Sequence, residues 1–281
     1  MKLTRAENYR VIPLPAERRM SVDGGILASS RHFMHGLLEF DVTEPRRLMQ
    51  AHKSATGERL SFTAFLISCL AKAVEEHKEV QALLDWRSRS IIFDDVNVST
   101  MVEVDTPGGK AVMPLVIQAA NRKSFRQLHS ALRAAKSSPD GTGWKSFMRV
   151  FFRLPGFIRR SVYRFIARVI PQYTHNFMAP VVLTAVGMFG SGGGWGLSQP
   201  YFPLSVVVGG ISKKPGVVED RIEIREYLCI TLSFDHDSID GGPAARFAHR
   251  FRELVEAGYG LEELSQGEWL DLKKLEVRQP A

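Results

Sequence analysis

The chain has 281 residues, of which 44% are hydrophobic and 24% charged, with a formal net charge of +7 and two cysteines. That balance excludes wholesale disorder, a collagen-like chain and a coiled coil, and two cysteines cannot by themselves make a disulfide framework or a four-ligand zinc site. Cys69 and Cys229 stand in apolar runs, which reads as buried free thiols in a reducing, cytoplasmic compartment.

In chain order, the first 31 residues show little periodicity and read as an extended arm without the apolar middle of a signal peptide. A strand is predicted at 33–42 and a short helix at 44–52. Over 60–77, Phe62, Phe65, Leu66, Cys69, Leu70, Ala73 and Val74 recur at intervals of three and four, which predicts a helix opened by Ser61. Strands are predicted at 90–93 and 96–104, with Asp94-Asp95 as their turn, and at 112–117. Ser124 opens a helix that runs to 137. The stretch 169–212 contains no Lys, Arg, Asp or Glu and is long enough to span a bilayer. Pro171, Pro180, Pro200, Pro203 and a run of glycines argue against a spanning helix. Buried strands at 181–186 and 204–209 are expected there instead. The glycine run 190–196 lacks the strand-turn-helix setting of a dinucleotide fingerprint and reads as a flexible loop. A hairpin is predicted over 221–234. A closing helix over 242–257 follows, with Ala245, Phe247, Phe251, Leu254 and Val255 as its buried face. No Pro-Gly-Ser-rich hinge divides the chain, so 1–281 is expected to be a single domain.

The motif that carries chemistry lies between the last predicted strand and the closing helix, Phe234-Asp235-His236-Asp237-Ser238-Ile239-Asp240-Gly241. A histidine at the end of a buried strand has a fixed backbone and a ring open to a cleft, which suits a base. Asp240, four residues on, falls at a helix start, where a carboxylate is favoured by the helix dipole. An isolated H-x-x-x-D-G match is more often a strand-end core histidine followed by a plain N-cap. The other histidines, His32, His35, His77, His129, His175 and His249, show no metal-ligand spacing and read as structural or exposed; no metal is expected.

The surroundings of that motif are more specific. The segment LCITLSFDHDSIDGGPAARFAHRFRELVE resembles the carboxy-terminal end of the catalytic core of the dihydrolipoamide acyltransferases of 2-oxo acid dehydrogenase complexes. HFMHGLLEFDVTEPRRL, GERLSFTAFLISCLAKAVEEHKEVQA, IIFDDVNVSTMVEVDTPGGKAVMPLV and VVLTAVGMFGSGG resemble successive earlier parts of the same core, in the same order. Chloramphenicol acetyltransferase shares that fold and a similar motif. The resemblance implies a chloramphenicol acetyltransferase-like α/β (α+β) fold, a two-layer sandwich with a mixed sheet. It implies a coenzyme A-dependent acyltransferase that moves an acyl group between coenzyme A and a dihydrolipoyl-type thiol. His236 takes the place of the general base, Thr184 that of the hydroxyl that hydrogen-bonds the oxyanion, and Asp240 that of the motif aspartate that holds the loop or orients the imidazole. The family is trimeric with its site between subunits, so His236 is expected to face Thr184 of a neighbouring copy.

Three departures from the family stand out. Asp237 follows the histidine where the family has Arg; a carboxylate there either raises the histidine's pKa or points to solvent. No lipoyl-bearing or subunit-binding domain is recognisable in the chain, so a lipoylated carrier is expected on another chain. The third departure is an insert at about 143–176. Residues 141–218 include no acidic residue, and 145–168 contain seven cations, Lys145, Arg149, Arg153, Arg159, Arg160, Arg164 and Arg168. Arg160, Arg164 and Arg168 are four apart on one helical face, beside Phe157, Ile158, Phe165, Ile166 and Val169. Such a face suits an anionic membrane surface and a peripheral-membrane location, a solvated surface over the protein's own core, or a phosphate-rich substrate such as coenzyme A. No nucleic-acid motif accompanies it, and nucleic acid is not an expected partner. Two alternatives remain beside the thiol acyltransferase: a non-catalytic trimeric binding relative, and a membrane-surface acyltransferase acting on a hydroxyl acceptor.

Overall fold

The computed structural model describes residues 16–106, 109–137, 151, 154–185 and 192–261, together with 12 and 14. Its elements are α1 (Ala16–Ala28), β1 (Phe33–Asp41), α2 (Thr43–Thr56), α3 (Phe62–Glu76), β2 (Leu83–Leu84), β3 (Ser90–Ile91), β4 (Val98–Thr106), β5 (Gly109–Ile117), α4 (Phe125–Ser137), α5 (Gly156–Val169), α6 (Pro171–Phe177), β6 (Val181–Ala185), β7 (Leu204–Val218), β8 (Arg221–Asp235) and α7 (Gly241–Glu256). One six-stranded sheet has the order β1-β8-β7-β6-β4-β5. The contacts of β6 with β4 and with β7 are parallel and the others antiparallel, so the sheet is mixed.

The period-two alternation of β8 sorts the two faces of the sheet. Leu228, Ile230, Leu232 and Phe234 enter the hydrophobic core with α3, α4 and α7. Cys229, Thr231, Ser233 and Asp235, also buried, point to the other face. The helix α3 is apolar nearly all round and is buried nearly all round, from Ala64 to Ala71 without a break, as such a helix must be. Ser61 caps it by accepting the Ala64 amide at 3.2 Å. In α7, Phe247 meets Phe234 edge-on at 5.7 Å and stacks on Phe251 at 6.1 Å. The buried alanine of its face is Ala244, one position before the expected Ala245, which is exposed. Both cysteines are free and buried, and burial pushes the Cys69 thiol well above its ordinary pKa.

Three expectations are corrected. Part of the predicted amino-terminal arm is the helix α1. Its weak amphipathicity and its Gly24-Gly25 pair hid it, and its anchors, Leu27, Ala28 and Asp23, are buried against distant segments. The segment at 90–93 does not form a hairpin with the next strand but pairs back onto Leu83 and Leu84. Residues 221–234 are one strand, not a hairpin. The partner is β7, which continues past Gly209 through a register shift between Val208 and Ile211 and turns at Glu219-Asp220, both at positive φ. The glycines that suggested an end to β7 are required by close packing: a Cβ on Gly209 would lie 2.1 Å from the Gly194 carbonyl oxygen, and one on Gly210 would lie 2.0 Å from that of Gly192. The described part of the predicted flexible loop is therefore bound to the sheet, with the Gly210 amide donating to the Gly194 carbonyl at 2.9 Å.

Candidate active site

β8 ends at Asp235, and His236 opens the turn into α7. The turn is built on Asp235. Its carbonyl accepts the Ser238 amide at 3.1 Å and the Ile239 amide at 3.2 Å, and also the Ser238 hydroxyl at 2.9 Å. Its carboxylate accepts the Asp237 amide at 3.2 Å and pairs with Arg31 at 2.7 Å. Burial raises the pKa of this carboxyl, an effect that Arg31 opposes. The His236 amide donates to the His32 carbonyl at 2.7 Å, tying the turn to the residue before β1.

The His236 ring is half exposed. Its Nδ1 lies 3.9 Å from Oδ1 of Asp240, an ion-pair distance beyond hydrogen-bond range. Asp240 occupies the N-cap of α7 in extended backbone geometry, but its side chain makes no capping bond and is 89% exposed. Among the described residues Asp240 thus does not hold the loop; Asp235 does. Asp237 is turned away from the base: its Oδ1 lies 2.9 Å from Nδ1 of His32, and that contact raises the His32 pKa. His32, read as structural or exposed, is the partner of the residue that replaces the family arginine.

Thr184 lies on β6, opposite Val207 of β7. Leu183 enters the core, so Thr184 points to the other face of the sheet, and among the described residues its hydroxyl has no hydrogen-bond partner. In the same register Leu204 is level with Phe234, which sets Thr184 and His236 two strands and about five residues apart. That is roughly 17 Å along the strands and about 10 Å across them. One copy of the chain does not bring the two together.

Beside the turn lies a cavity of about 420 Å³, lined among others by Arg31, Arg164, Arg168, Tyr201, Asp235 and Asp237. The Arg31 guanidinium lies 5.1 Å from the Tyr201 ring centroid, and burial raises the Tyr201 pKa, keeping its hydroxyl protonated.

The basic insert divides between these surroundings. Arg159 is buried and pairs with the buried Asp23 at 2.7 Å; Arg160 reaches the same carboxylate at 3.1 Å. Arg160 therefore does not share a free face with Arg164 and Arg168, which line the cavity. At the far end His175 is buried, stacked on Phe93 at 3.9 Å. Its Nε2 donates to the Asp95 carbonyl at 3.0 Å, and its Nδ1 lies 3.1 Å from both Asn97 Nδ2 and Asn176 Oδ1. Phe157, Phe165, Val169 and Phe177 remain exposed. Lys145, Arg149 and Arg153 lie outside the described residues. No helix of the described residues is long and apolar enough to cross a membrane, and among them no three His, Cys, Asp or Glu side chains are grouped to hold a metal.

A two-layer sandwich with a mixed sheet, and with a histidine opening the turn between a buried strand and the closing helix, is an α/β architecture. The model of the 2-oxoacid dehydrogenases acyltransferase (catalytic domain) family matches residues 18–138 and 181–261, and the chain belongs to that family. The residues between the two matched segments, 139–180, contain the insert. Among curated proteins the chain is 24% identical over 227 residues to the dihydrolipoyllysine-residue acetyltransferase component of the Mycoplasma capricolum pyruvate dehydrogenase complex, covering 78% of this chain and 44% of the relative. It is 22% identical over 230 residues to the human mitochondrial dihydrolipoyllysine-residue succinyltransferase component of the 2-oxoglutarate dehydrogenase complex, covering 78% and 42%. The chain spans about half the length of the curated relatives it matches. Among solved structures it superposes on the Azotobacter vinelandii dihydrolipoamide acetyltransferase (TM-score 0.67, 18% identity, 93% of this chain and 98% of that one). It superposes likewise on the cubic core of a pyruvate dehydrogenase multienzyme complex (TM-score 0.66, 17% identity, 93% and 98%). A chloramphenicol acetyltransferase matches at TM-score 0.50, with 13% identity over 86% and 98% of the two chains. The expected fold is the fold found.

The sequence reading missed Asp235, Arg31 and Asp23. Asp235 stands in the quoted motif, but nothing in a D-H pair tells which carboxylate is buried. Arg31 and Asp23 lie in the segment read as an arm, and only the fold brings them to their partners, 204 and 136 positions away.

Proposed function

We propose that the chain is a catalytic domain spanning 1–281, with its insert at about 143–176, that transfers an acyl group between coenzyme A and a dihydrolipoyl-type thiol. The thiol would be carried by a lipoylated partner on another chain. His236 takes the thiol proton as general base. The thiolate attacks the thioester carbonyl, and the oxyanion accepts a hydrogen bond from the Thr184 hydroxyl. Collapse expels the second thiolate, which recovers the proton from the imidazolium. An ordinary thiol pKa of ~8.5 and histidine pKa of ~6.5 are close enough for that transfer. Asp240, 3.9 Å from the ring, stabilises the imidazolium.

The observation that carries the reading is the state of His236. Its backbone is fixed by the Asp235 turn, and its ring is half exposed with no polar partner closer than Asp240 among the described residues. The separation of Thr184 from His236 within one copy supports a site completed by a second copy, in a homotrimer. So does the β7–β8 ribbon, which runs past the ends of β1 and β6 with Val217, Ile222 and Ile224 at least 75% exposed; such a two-stranded ribbon is marginal alone. The study of the Azotobacter protein concerns a serine, a histidine and an asparagine, the serine 52 positions before the histidine and the asparagine four after it. Thr184, His236 and Asp240 have the same separations.

Asp237 and the lack of a recognisable carrier domain favour a non-catalytic relative; the engagement of Asp237 with His32 weakens the first of these. A second reading, attachment to an anionic membrane surface with a hydroxyl acceptor, is favoured by the exposed Phe157, Phe165, Val169 and Phe177. Arg164 and Arg168 are its available cations. Assay of acetyl-coenzyme A against dihydrolipoamide and a panel of alcohols separates the two. His236→Ala is expected to lower turnover by at least ~10²-fold with folding intact; wild-type turnover in that variant would overturn the mechanism.

A further inference from the structure

The insert brings two arginines to the catalytic end of the sheet that its structural contacts do not use. Arg159 and Arg160 meet Asp23. Arg164 and Arg168, one turn apart on α5, have no carboxylate partner among the described residues, yet both line the 420 Å³ cavity. Asp235 and Asp237, which also line it, are the residues on either side of His236, which is not itself among the lining residues. Each carboxylate already has a partner, Arg31 at 2.7 Å and His32 at 2.9 Å. Two arginines without a carboxylate partner among the described residues therefore line a cavity whose own acids are engaged. Tyr201 adds an O–H donor that burial keeps protonated, and Leu27, Leu83 and Phe165 supply apolar wall. The volume falls within the usual range of small-ligand sites, roughly 300–1,000 Å³. Apolar walls with a few convergent cations suit an organic chain that ends in an anion.

We infer that Arg164 and Arg168 form an anion-recognition subsite next to the catalytic histidine, which binds a carboxylate or phosphate carried by the acyl group or by its coenzyme A carrier. The occupant's identity rests on the acyl-transfer reading above; the cation pair and the cavity do not. Both arginines lie in the segment that the family model leaves unmatched, so the subsite belongs to this chain's insert and not to the shared core.

The test compares wild type, the double variant Arg164→Gln/Arg168→Gln and the charge-keeping Arg164→Lys/Arg168→Lys. KM and kcat are measured with acetyl-coenzyme A and succinyl-coenzyme A, and equilibrium binding of coenzyme A and of succinate is measured by calorimetry. Loss of hydrogen bonds to a charged group costs about tenfold or more in affinity. If the anion is the acyl carboxylate, the Gln variant raises KM for succinyl-coenzyme A about tenfold more than for acetyl-coenzyme A, and succinate binding weakens. If it is a coenzyme A phosphate, KM for both donors rises together and coenzyme A binding weakens by about tenfold. The Lys variant recovers part of either loss, which a folding defect would not allow. Equal KM values and equal binding in wild type and the Gln variant overturn the subsite. So does salt-dependent binding to phosphatidylserine vesicles that is lost in the Gln variant while both ligands bind as in wild type, since the cations then serve a membrane. If no donor is turned over but calorimetry still separates wild type from the Gln variant, the acyl-transfer reading fails and the subsite stands.

Discussion

The helix-backed face of the sheet and the insert α5–α6 are held in opposite ways. On the first, Phe40, Phe65, Phe247 and Phe251 are fully buried among aliphatic side chains. A side chain of that size contributes about 1.5–3 kcal/mol on burial without needing a specific partner. The insert leaves Phe157 65% and Phe165 60% exposed and is fastened by polar contacts at its two ends: Asp23 with Arg159 and Arg160, and His175 with Asn97 and Asp95. A buried ion pair gains little net energy, because desolvation offsets attraction, but losing one partner strands the other. The core should tolerate conservative apolar change and the insert should not tolerate loss of a single carboxylate.

Phe247→Ala removes the ring that touches Phe234 and Phe251 and is expected to cost about 3–5 kcal/mol of global stability. Denaturant unfolding reads this as a lower midpoint at an unchanged slope. Asp23→Ala leaves Arg159 buried without its counter-ion and is expected to cost about 3 kcal/mol, but locally. Hydrogen exchange should rise in α1 and α5 while α3 and α7 keep wild-type protection. A uniform loss of protection would mean that the insert and the core unfold as one unit, and the contrast between them would fall.

A smaller effect tests the polar edge of the core. Burial lowers the pKa of His129, whose Nδ1 accepts the Ser61 amide at 3.1 Å. A histidine with a folded pKa below its unfolded value of ~6.5 binds protons more readily when unfolded. Its contribution is therefore present above pH ~6.5 and declines as pH falls from there towards the folded pKa. Between pH 7.5 and 5.5 the melting temperature of wild type should fall more than that of His129→Gln. Parallel curves would show that His129 does not titrate on unfolding.

Much of this was legible in the sequence where the signal is local. The spacing of Phe62, Phe65, Leu66, Cys69, Leu70, Ala73 and Val74 marked α3, and Ser61 marked its cap. Charge marked the basic segment, and departure from the family pattern marked it as an insert. The misses are non-local. The strand β7 continues through Gly209 and Gly210 because another loop packs on them, and a sequence shows the glycines without the loop. Asp23 and Arg159 attract only once the fold joins segments 136 positions apart. Within the site, His236, Asp240 and Thr184 were named from their motifs, whereas the roles of Asp235 and Asp237 depend on Arg31 and His32 across the β1–β8 edge.

We propose that His236 of one copy works with Thr184 of another. Mixing two inactive proteins, His236→Ala and Thr184→Val, unfolding and refolding them together at equal concentration, and measuring acetyl transfer from acetyl-coenzyme A to dihydrolipoamide tests this. If the site lies between copies in a closed ring, random mixing leaves about a quarter of the interfaces with an intact His236 and an intact Thr184. The mixture should then recover about a quarter of wild-type turnover. Turnover no higher than that of the two variants refolded separately would contradict the shared site.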